Sequence, residues 1–194
     1  MHPAMRPYAA ALVALLAAPS ILPGQDKPEE RQIADALSPL PDTLRLGAQV
    51  LGYRAGKLAV IRPGSGEMVC LADDPAEKGF NVACYHRALE PFMVLGRELR
   101  AQGLARPAID SARLAAVKAG TLKMPGQPAA LYSLRHPDDA FDPRAGVPPE
   151  TAGLYVIYMP YATEATTGIS TVPSRDRPWL MYPGAPWAHV MISR

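Results

Sequence analysis

The chain has 194 residues, of which 48% are hydrophobic, and this length predicts one domain with a sizeable core. Its 20 Lys and Arg residues against 18 Asp and Glu residues give a formal net charge of +2, which excludes the strongly basic surface of a nucleic-acid-binding protein and also an acidic tail. The 22 prolines and 15 glycines predict many turns and few long helices, at a content below that of low-complexity disorder.

Residues 1–24 have the pattern of a secretory signal peptide. A short segment carrying Arg6 precedes an uncharged apolar run over 8–18, which is shorter than the roughly 20 residues that a membrane-spanning helix needs. Small residues follow, and cleavage after Ser20 or after Gly24 fits the pattern equally well. A retained membrane anchor is the alternative. We therefore expect a secreted or periplasmic bacterial protein with no transmembrane span once the signal is removed.

The next part of the chain predicts a polar leader with a short helix over 25–40, followed by strands. Ile33 and Leu37 share one helix face, and Pro39 ends the helix. Three strands are predicted at 49–53, 58–61 and 68–71, and the Pro-Gly-Ser-Gly turn before the third strand favours an antiparallel meander. The polar segment 72–81 is expected to be a loop.

Two helices and four more strands are predicted in the rest of the chain. One helix starts near Pro91 and stops at Gly103, and the next runs from Pro107 to Gly120. The strands are predicted at 129–134, 154–159, 179–182 and 188–192, the last two as a closing hairpin. Residues 41–194 are thus predicted to form a single globular domain of the α+β class, with a mainly antiparallel sheet and two or three helices packed on one side.

Cys70 and Cys84 are the two cysteines, and export to an oxidising compartment predicts one disulfide between them. A metal site using His86 is the alternative, but the chain has no Cys-x-x-Cys pair, so we predict no metal ligands. The phosphate-binding, dinucleotide-binding, zinc-protease and nucleophile-elbow motifs do not occur, and no cofactor is expected.

Three histidines follow the signal segment: His86, His136 and His189. His189 lies between aromatic and apolar strand neighbours, so we expect its imidazole to be partly buried and to need a partner. A hydrolase-like site would require the fold to bring at least two of His189, His86 and Asp139 within hydrogen-bond reach. A structural or surface role is the alternative for each residue.

Two further groups of side chains have both a functional and a structural interpretation. Asp138, Asp139 and Asp142 have the oxygen ligands that Ca²⁺ prefers, but three acids in a loop are also typical of a solvated turn. Aromatic residues concentrate in the last third of the chain, and the candidates for ligand binding are Trp179, Tyr182 and Trp187. Core packing and cross-strand pairing are the alternative for these rings.

Two segments carry a family resemblance. The segment Ile61–Leu71 (IRPGSGEMVCL) resembles the G-S-N-G-[WF]-T-C-L segment of a family of uncharacterised exported bacterial proteins, and the segment 179–192 is similar to the closing G-[TA]-P-[YW]-A-H-x-M segment of that family. The resemblance runs in order over about 44–194 and includes the second cysteine, Cys84. This chain has Gly66-Glu67-Met68 where the family often has Asn and an aromatic residue. The resemblance implies export and a single domain, and it implies no reaction.

For function, we expect an exported binding or structural module of the periplasm or cell surface, with an unknown small molecule or cell-envelope partner and no nucleic acid. The absence of a catalytic motif and the aromatic closing hairpin favour this reading. The alternatives are a hydrolase-like enzyme with a His/Asp site assembled by the fold, and a metal-binding protein.

Overall fold

The computed structural model describes residues 26–146 and 151–193, so the predicted signal peptide lies outside the described residues. The helices are α1 (Glu29–Leu37), α2 (Asp42–Arg45), α3 (Glu90–Ala101), α4 (Arg106–Lys118) and α5 (Glu164–Thr167). The strands are β1 (Gln49–Arg54), β2 (Lys57–Arg62), β3 (Met68–Leu71), β4 (Phe80–His86), β5 (Ala129–His136), β6 (Ala152–Tyr158), β7 (Trp179–Met181) and β8 (His189–Ser193).

The eight strands form one sheet in the order β2-β1-β3-β4-β5-β6-β8-β7. Each neighbouring pair is antiparallel except β1 and β3, which confirms the predicted α+β class with a mainly antiparallel sheet. Strand β6 lies between β5 and β8, as its apolar residues on both faces imply. The closing hairpin is formed by β7 and β8.

The predicted antiparallel meander of the first three strands is wrong. Strand β3 pairs with β1 in parallel, on the side of β1 away from β2. The connection between β2 and β3 passes close to the residues just before β1, where the backbone N–H of Gly66 donates to the carbonyl of Gly47 at 2.8 Å. A Cβ on Gly64 would lie 2.4 Å from the backbone nitrogen of Gln49. The glycines therefore permit a backbone crossing, which a sequence pattern does not distinguish from a tight turn.

Strand β4 begins inside the segment that was expected to be a loop, and the sequence pattern did not predict it. It runs antiparallel to both β3 and β5, so it occupies the middle of the sheet. Phe80, Val82 and Cys84 are buried along one face of β4, and they alternate with half-buried residues that lie on the other face. The strand contains Asn81 and Ala83 between them, and such polar or small residues weaken a strand signal that depends on propensity.

Helices cover both faces of the sheet. Because side chains alternate along a strand, Val50 and Cys70 face α1, while Leu51 and Val69 face the side of α3 and α4. Helices α3 and α4 pack against each other on one side, as predicted, and α1 adds a layer on the opposite face.

Helix α1 is held to β1 by a buried side chain. The side-chain Nε2 of Gln32 donates to the carbonyl of Tyr53 at 2.9 Å, and the backbone N–H of Tyr53 donates to Gln32 Oε1 at 2.7 Å. On the same helix, the Arg31 Nε lies 2.8 Å from both carboxylate oxygens of buried Asp35. Burial raises the pKa of Asp35, and the charges of Arg31 and Lys27 oppose that rise.

The predicted disulfide is confirmed. Cys70 and Cys84 face each other across β3 and β4 with their Cα atoms 3.9 Å apart, and both are fully buried beneath α1. In the part of the chain that the structure describes, none of the helices combines the length and the apolar character needed to cross a membrane.

Candidate functional site

The three residues considered for a hydrolase-like site lie in different parts of the fold. His86 is the last residue of β4, and its Nδ1 accepts from the amide of Ala88 at 3.2 Å. Asp139 accepts from the amide of Gly79, directly before the first residue of β4. A strand of seven residues separates the two, a distance of about 20 Å at roughly 3.3 Å per residue.

His189 lies on the other face of the sheet from His86. It is the register partner of Tyr158, whose ring belongs to the core on the α3 side. His86 follows Tyr85, which faces that same side, so alternation directs His86 to the α1 face. The structure therefore does not bring His189, His86 and Asp139 within hydrogen-bond reach of one another.

The imidazole of His189 is buried and fixed in one orientation. Its Nδ1 lies 2.7 Å from the carbonyl oxygen of Trp187, and because a carbonyl only accepts, Nδ1 carries the proton and Nε2 is left as an acceptor. Burial lowers the pKa of His189; the bond to Trp187 opposes this effect, and the nearby charge of Arg106 adds to it. The side chain is thus neutral at physiological pH.

Two of the three aromatic candidates lie next to His189. The ring of Tyr182 is 5.7 Å from the His189 ring and 6.4 Å from the Trp187 ring, measured between centroids. Trp187 is 6% exposed and packs on Phe92, so it belongs to the core. Trp179 lies in the edge strand β7 opposite Met191, apart from this pair.

Charged side chains of α4 adjoin these rings. The Nε of Arg106 lies 3.0 Å from both carboxylate oxygens of Asp110, and Arg113 Nη1 lies 3.7 Å from Asp110. The Arg113 guanidinium is 3.8 Å from the centroid of the Phe92 ring. We call the following group the basic–aromatic cluster: Phe92, Arg106, Asp110, Arg113, Tyr158, Tyr182, Trp187 and His189.

Sequence reasoning missed the charged half of this cluster. In helix α4, Arg106, Asp110 and Arg113 recur at i, i+4 and i+7 and so share one face. That spacing was visible in the sequence. The spacing does not show that this face lies near the start of β8, where His189 is.

A cavity of about 790 Å³ opens at the end of the sheet where β5 begins and β6 ends. We call it the end cavity. Its lining is mostly apolar and comes from the end of α4, the loop before β5 and the loop after β6; it includes Val117, Leu122, Met124, Met159, Pro160 and Tyr161. Lys123 and Gln127 are its long polar side chains.

Tyr161 has an unusual conformation at the rim of the end cavity. Its φ is 64°, in the left-handed region that residues other than glycine rarely adopt, and its side chain is 57% exposed. The amide of Tyr161 donates to the carbonyl of Ala185 at 2.9 Å, and Gly184 donates to the carbonyl of Ala162 at 2.7 Å. These backbone bonds hold the rim against the closing hairpin.

The carboxylates considered for Ca²⁺ are engaged by protein groups. Asp138 accepts from the amide of Ala140 at 2.9 Å, as in a solvated turn. Asp142 accepts from Arg144 at 3.0 Å and from Arg31 at 3.2 Å, and the Arg144 bonds lower the pKa of Asp142 to about 2. Within residues 26–146 and 151–193, no three His, Cys, Asp or Glu side chains are gathered as a metal site requires.

Compared with family models, with curated proteins and with solved structures, the chain shows no match. The end cavity and the basic–aromatic cluster are therefore the features of the molecule that bear on its function.

Proposed function

We propose that this chain is an exported binding domain that holds a small molecule in the end cavity. The observation that carries the proposal is the cavity itself, with Tyr161 held at its rim. Its volume of about 790 Å³ lies within the range of roughly 300–1,000 Å³ that is usual for ligand pockets.

The lining of the end cavity favours an apolar or aromatic ligand with few polar groups. Met124 and Met159 provide flexible, polarisable contacts, which adapt to ligands of different shape. Pro160 keeps the rim rigid, so little conformational entropy is lost there on binding. Lys123 and Gln127 supply hydrogen bonds that orient a polar end of the ligand.

The conformation of Tyr161 also supports binding at this rim. A residue in the left-handed region costs of order 1–3 kcal/mol, and such residues cluster at ligand-binding sites, where the surrounding structure maintains them. Here the bonds to the closing hairpin maintain a conformation that presents an aromatic ring to solvent beside the cavity. An exposed ring has no core role, whereas it provides flat contact area for a ligand.

Export is part of the same proposal. The signal pattern at 1–24 and the buried disulfide between Cys70 and Cys84 agree with a secreted or periplasmic location, since disulfides persist in oxidising compartments. The resemblance to exported two-cysteine proteins points the same way. A small molecule is preferred over a cell-envelope partner as the ligand because the cavity is concave.

Methionine methyl groups give a direct test. The protein is labelled with [methyl-¹³C]methionine and screened by NMR against a library of neutral aromatic and aliphatic fragments. We expect the signals of Met124 and Met159 to shift with a subset of fragments. The signal of Met68, buried beneath α1, remains unchanged.

The Tyr161→Asn variant tests the rim. Asparagine tolerates a positive φ, so this change removes the ring and keeps the backbone conformation. We expect several-fold weaker fragment binding, since an aromatic contact contributes about 0.5–1.5 kcal/mol. The matched control is Val172→Asn, at a side chain that is 60% exposed and outside the cavity lining. Fragments that leave both methionine signals unchanged, or binding that Tyr161→Asn does not weaken, would contradict the proposal.

A further inference from the structure

We propose that β2 is the pairing edge of a symmetric dimer, in which β2 of one copy lies antiparallel to β2 of a second copy of this chain. The sheet order places β2 and β7 at the two edges. The outer side of β7 is covered, because the backbone N–H of Leu180 donates to the carbonyl of Ser170 at 2.8 Å. Within the described residues β2 pairs with β1 alone. An unprotected edge strand is a place where another chain adds a strand, so β2 is the edge at which pairing is expected.

The hydrogen bonds of β1 show which backbone groups of β2 point out of the sheet. The N–H and the carbonyl of Tyr53 bond to the Gln32 side chain, and the carbonyl of Leu51 accepts from a backbone N–H just after β3 at 2.8 Å. Tyr53 and Leu51 therefore direct these groups away from β2. Their register partners are Leu58 and Val60. Opposite residues of an antiparallel pair direct their backbone groups either toward each other or both outward, so those of Leu58 and Val60 point to the open side.

Exposed apolar side chains gather at the same edge. Leu58 and Val60 are 39% and 43% exposed, and alternation along the strand puts both on one face. Leu46 is 87% exposed and lies beside the far end of β2, where its carbonyl accepts from the Arg62 guanidinium at 2.7 Å. Three of the six exposed large apolar residues in the described part of the chain are thus on or next to β2. Apolar side chains that cluster in this way mark an interaction surface.

A two-fold axis through Ala59 lets two copies of β2 satisfy each other. In this register Leu58 of each copy lies opposite Val60 of the other, and the outward N–H and carbonyl groups of both residues are paired. The two side chains also meet on one face across the axis. A register shifted by two residues would place Val60 opposite Gly56 in the turn, or Leu58 opposite Arg62. The register centred on Ala59 therefore uses both residues, and it gives the isologous contact that is usual in homodimers.

The charges at the two ends of β2 suit this register. Antiparallel pairing brings Arg62 of one copy to the turn at Gly56 of the other. The backbone N–H of Gly56 donates to the carboxylate of Asp26 at 3.1 Å, and no basic side chain among the described residues forms an ion pair with Asp26. Arg62 of the second copy thus approaches an acid that has no basic partner, while Lys57 faces apolar Ile61 rather than another cation. Such complementarity fixes the register of a pairing.

The dimer leaves the end cavity unobstructed. Strands β1, β3 and β4 lie between β2 and β5, where the cavity begins. Four strand spacings of about 4.8 Å place β5 roughly 19 Å from β2. Ligand binding in the cavity and pairing at β2 are therefore independent, and each copy of the dimer keeps its own cavity.

Cysteine cross-linking of the protein purified after export tests the register. The native Cys70 and Cys84 are bonded to each other and buried, so an added cysteine is the reactive thiol. In Ala59→Cys the two added residues face each other across the axis, with Cα atoms about 4.5 Å apart, within the reach of a disulfide. In the control Lys57→Cys they are four residues apart along the strands, or about 14 Å, which is too far. We expect mild oxidation to give covalent dimers of Ala59→Cys and few of Lys57→Cys.

A charge placed on the edge separates this pairing from general association. Sedimentation velocity over a range of concentrations is expected to show a monomer–dimer equilibrium. Val60→Glu puts a carboxylate between the paired strands and is expected to weaken dimerisation about tenfold or more. The matched control is Val172→Glu, which adds the same charge at another exposed valine and should leave dimerisation unchanged. Thermal scans of both variants check that the monomer remains folded.

Three results would each overturn the proposal: a protein that stays monomeric at millimolar concentration, equal cross-linking of Ala59→Cys and Lys57→Cys, or equal dimerisation of Val60→Glu and Val172→Glu. The last result would also place any dimer contact at another surface. The Met124 and Met159 signals report ligand binding in the end cavity whether or not the dimer forms, so failure of one proposal is distinguishable from failure of the other.

Discussion

Gly96 is the position where one added methyl group is expected to disturb the packing of α3 on α4. A Cβ at Gly96 would lie 1.8 Å from Arg113 Nη2 and 2.6 Å from its Cζ, because the guanidinium fills the space that the glycine leaves. In that position Arg113 Nη2 donates to the carbonyl of Phe92 at 2.9 Å, and the guanidinium lies over the Phe92 ring. In the Gly96→Ala variant the arginine must leave this position.

The expected loss follows from the contacts of Arg113. A hydrogen bond from a charged donor contributes about 1.5–3 kcal/mol, and a desolvated cation–π contact contributes about 2 kcal/mol. The helix propensity of alanine returns about 1 kcal/mol. The net destabilisation is therefore about 2–4 kcal/mol, or a fall in Tm of roughly 5–15 °C for a chain of this size.

A double-mutant cycle measured by urea unfolding tests this reasoning. In an Arg113→Met background the guanidinium is absent, so Gly96→Ala should cost little or should stabilise the protein. The two substitutions are thus expected to be strongly non-additive. If Gly96→Ala stabilises the wild-type protein, or costs the same in both backgrounds, then the arginine does not occupy the space beside Gly96.

Three further predictions concern other parts of the fold. Replacing both cysteines, Cys70→Ala with Cys84→Ala, should lower Tm by roughly 6–12 °C in a thermal scan, because closing a loop of this length contributes about 3 kcal/mol. An unchanged Tm would show that the disulfide adds no stability. Burial holds the pKa of His189 below its usual 6.5, so between the folded-state and unfolded-state pKa values the unfolded chain binds more protons, and the free energy of unfolding should fall as pH decreases from 6.5 towards the folded-state pKa. In urea melts His189→Asn should lose this pH dependence. Equal slopes of stability against pH for the two proteins would contradict the prediction. Gln32→Leu leaves the backbone N–H and carbonyl of half-buried Tyr53 without their side-chain partner and should cost about 2–4 kcal/mol in the same assay. The exposed control Gln102→Leu should cost little, and similar losses in the two variants would refute the role of the buried Gln32 side chain.

Much of the fold is predictable from local signals in the sequence. The continuous apolar run of β6, the helices that begin near Pro91 and Pro107, and the disulfide all appear as predicted. These features depend on residue type and spacing over one element, which the sequence states directly. Strand β4 was missed because its central position in the sheet, rather than its propensity, makes it a strand.

The candidate sites were only half predictable. Tyr182, Trp187 and His189 were identified because buried imidazole and clustered rings have a local signature. Their partners Arg106 and Arg113 come from a helix some 75 residues earlier, and the end cavity collects loops from three parts of the chain.

By itself, the sequence determined the α+β class, the pairing of the two cysteines and the partly buried state of His189, because each depends on composition or on neighbours along the chain. Only the tertiary structure decided that β3 lies parallel to β1, that α1 covers the second face and that His86 and His189 lie on opposite sides of the sheet. The physical reason is that strand order and helix placement minimise exposed apolar surface over the whole domain, and contacts between distant segments leave no mark in a local pattern.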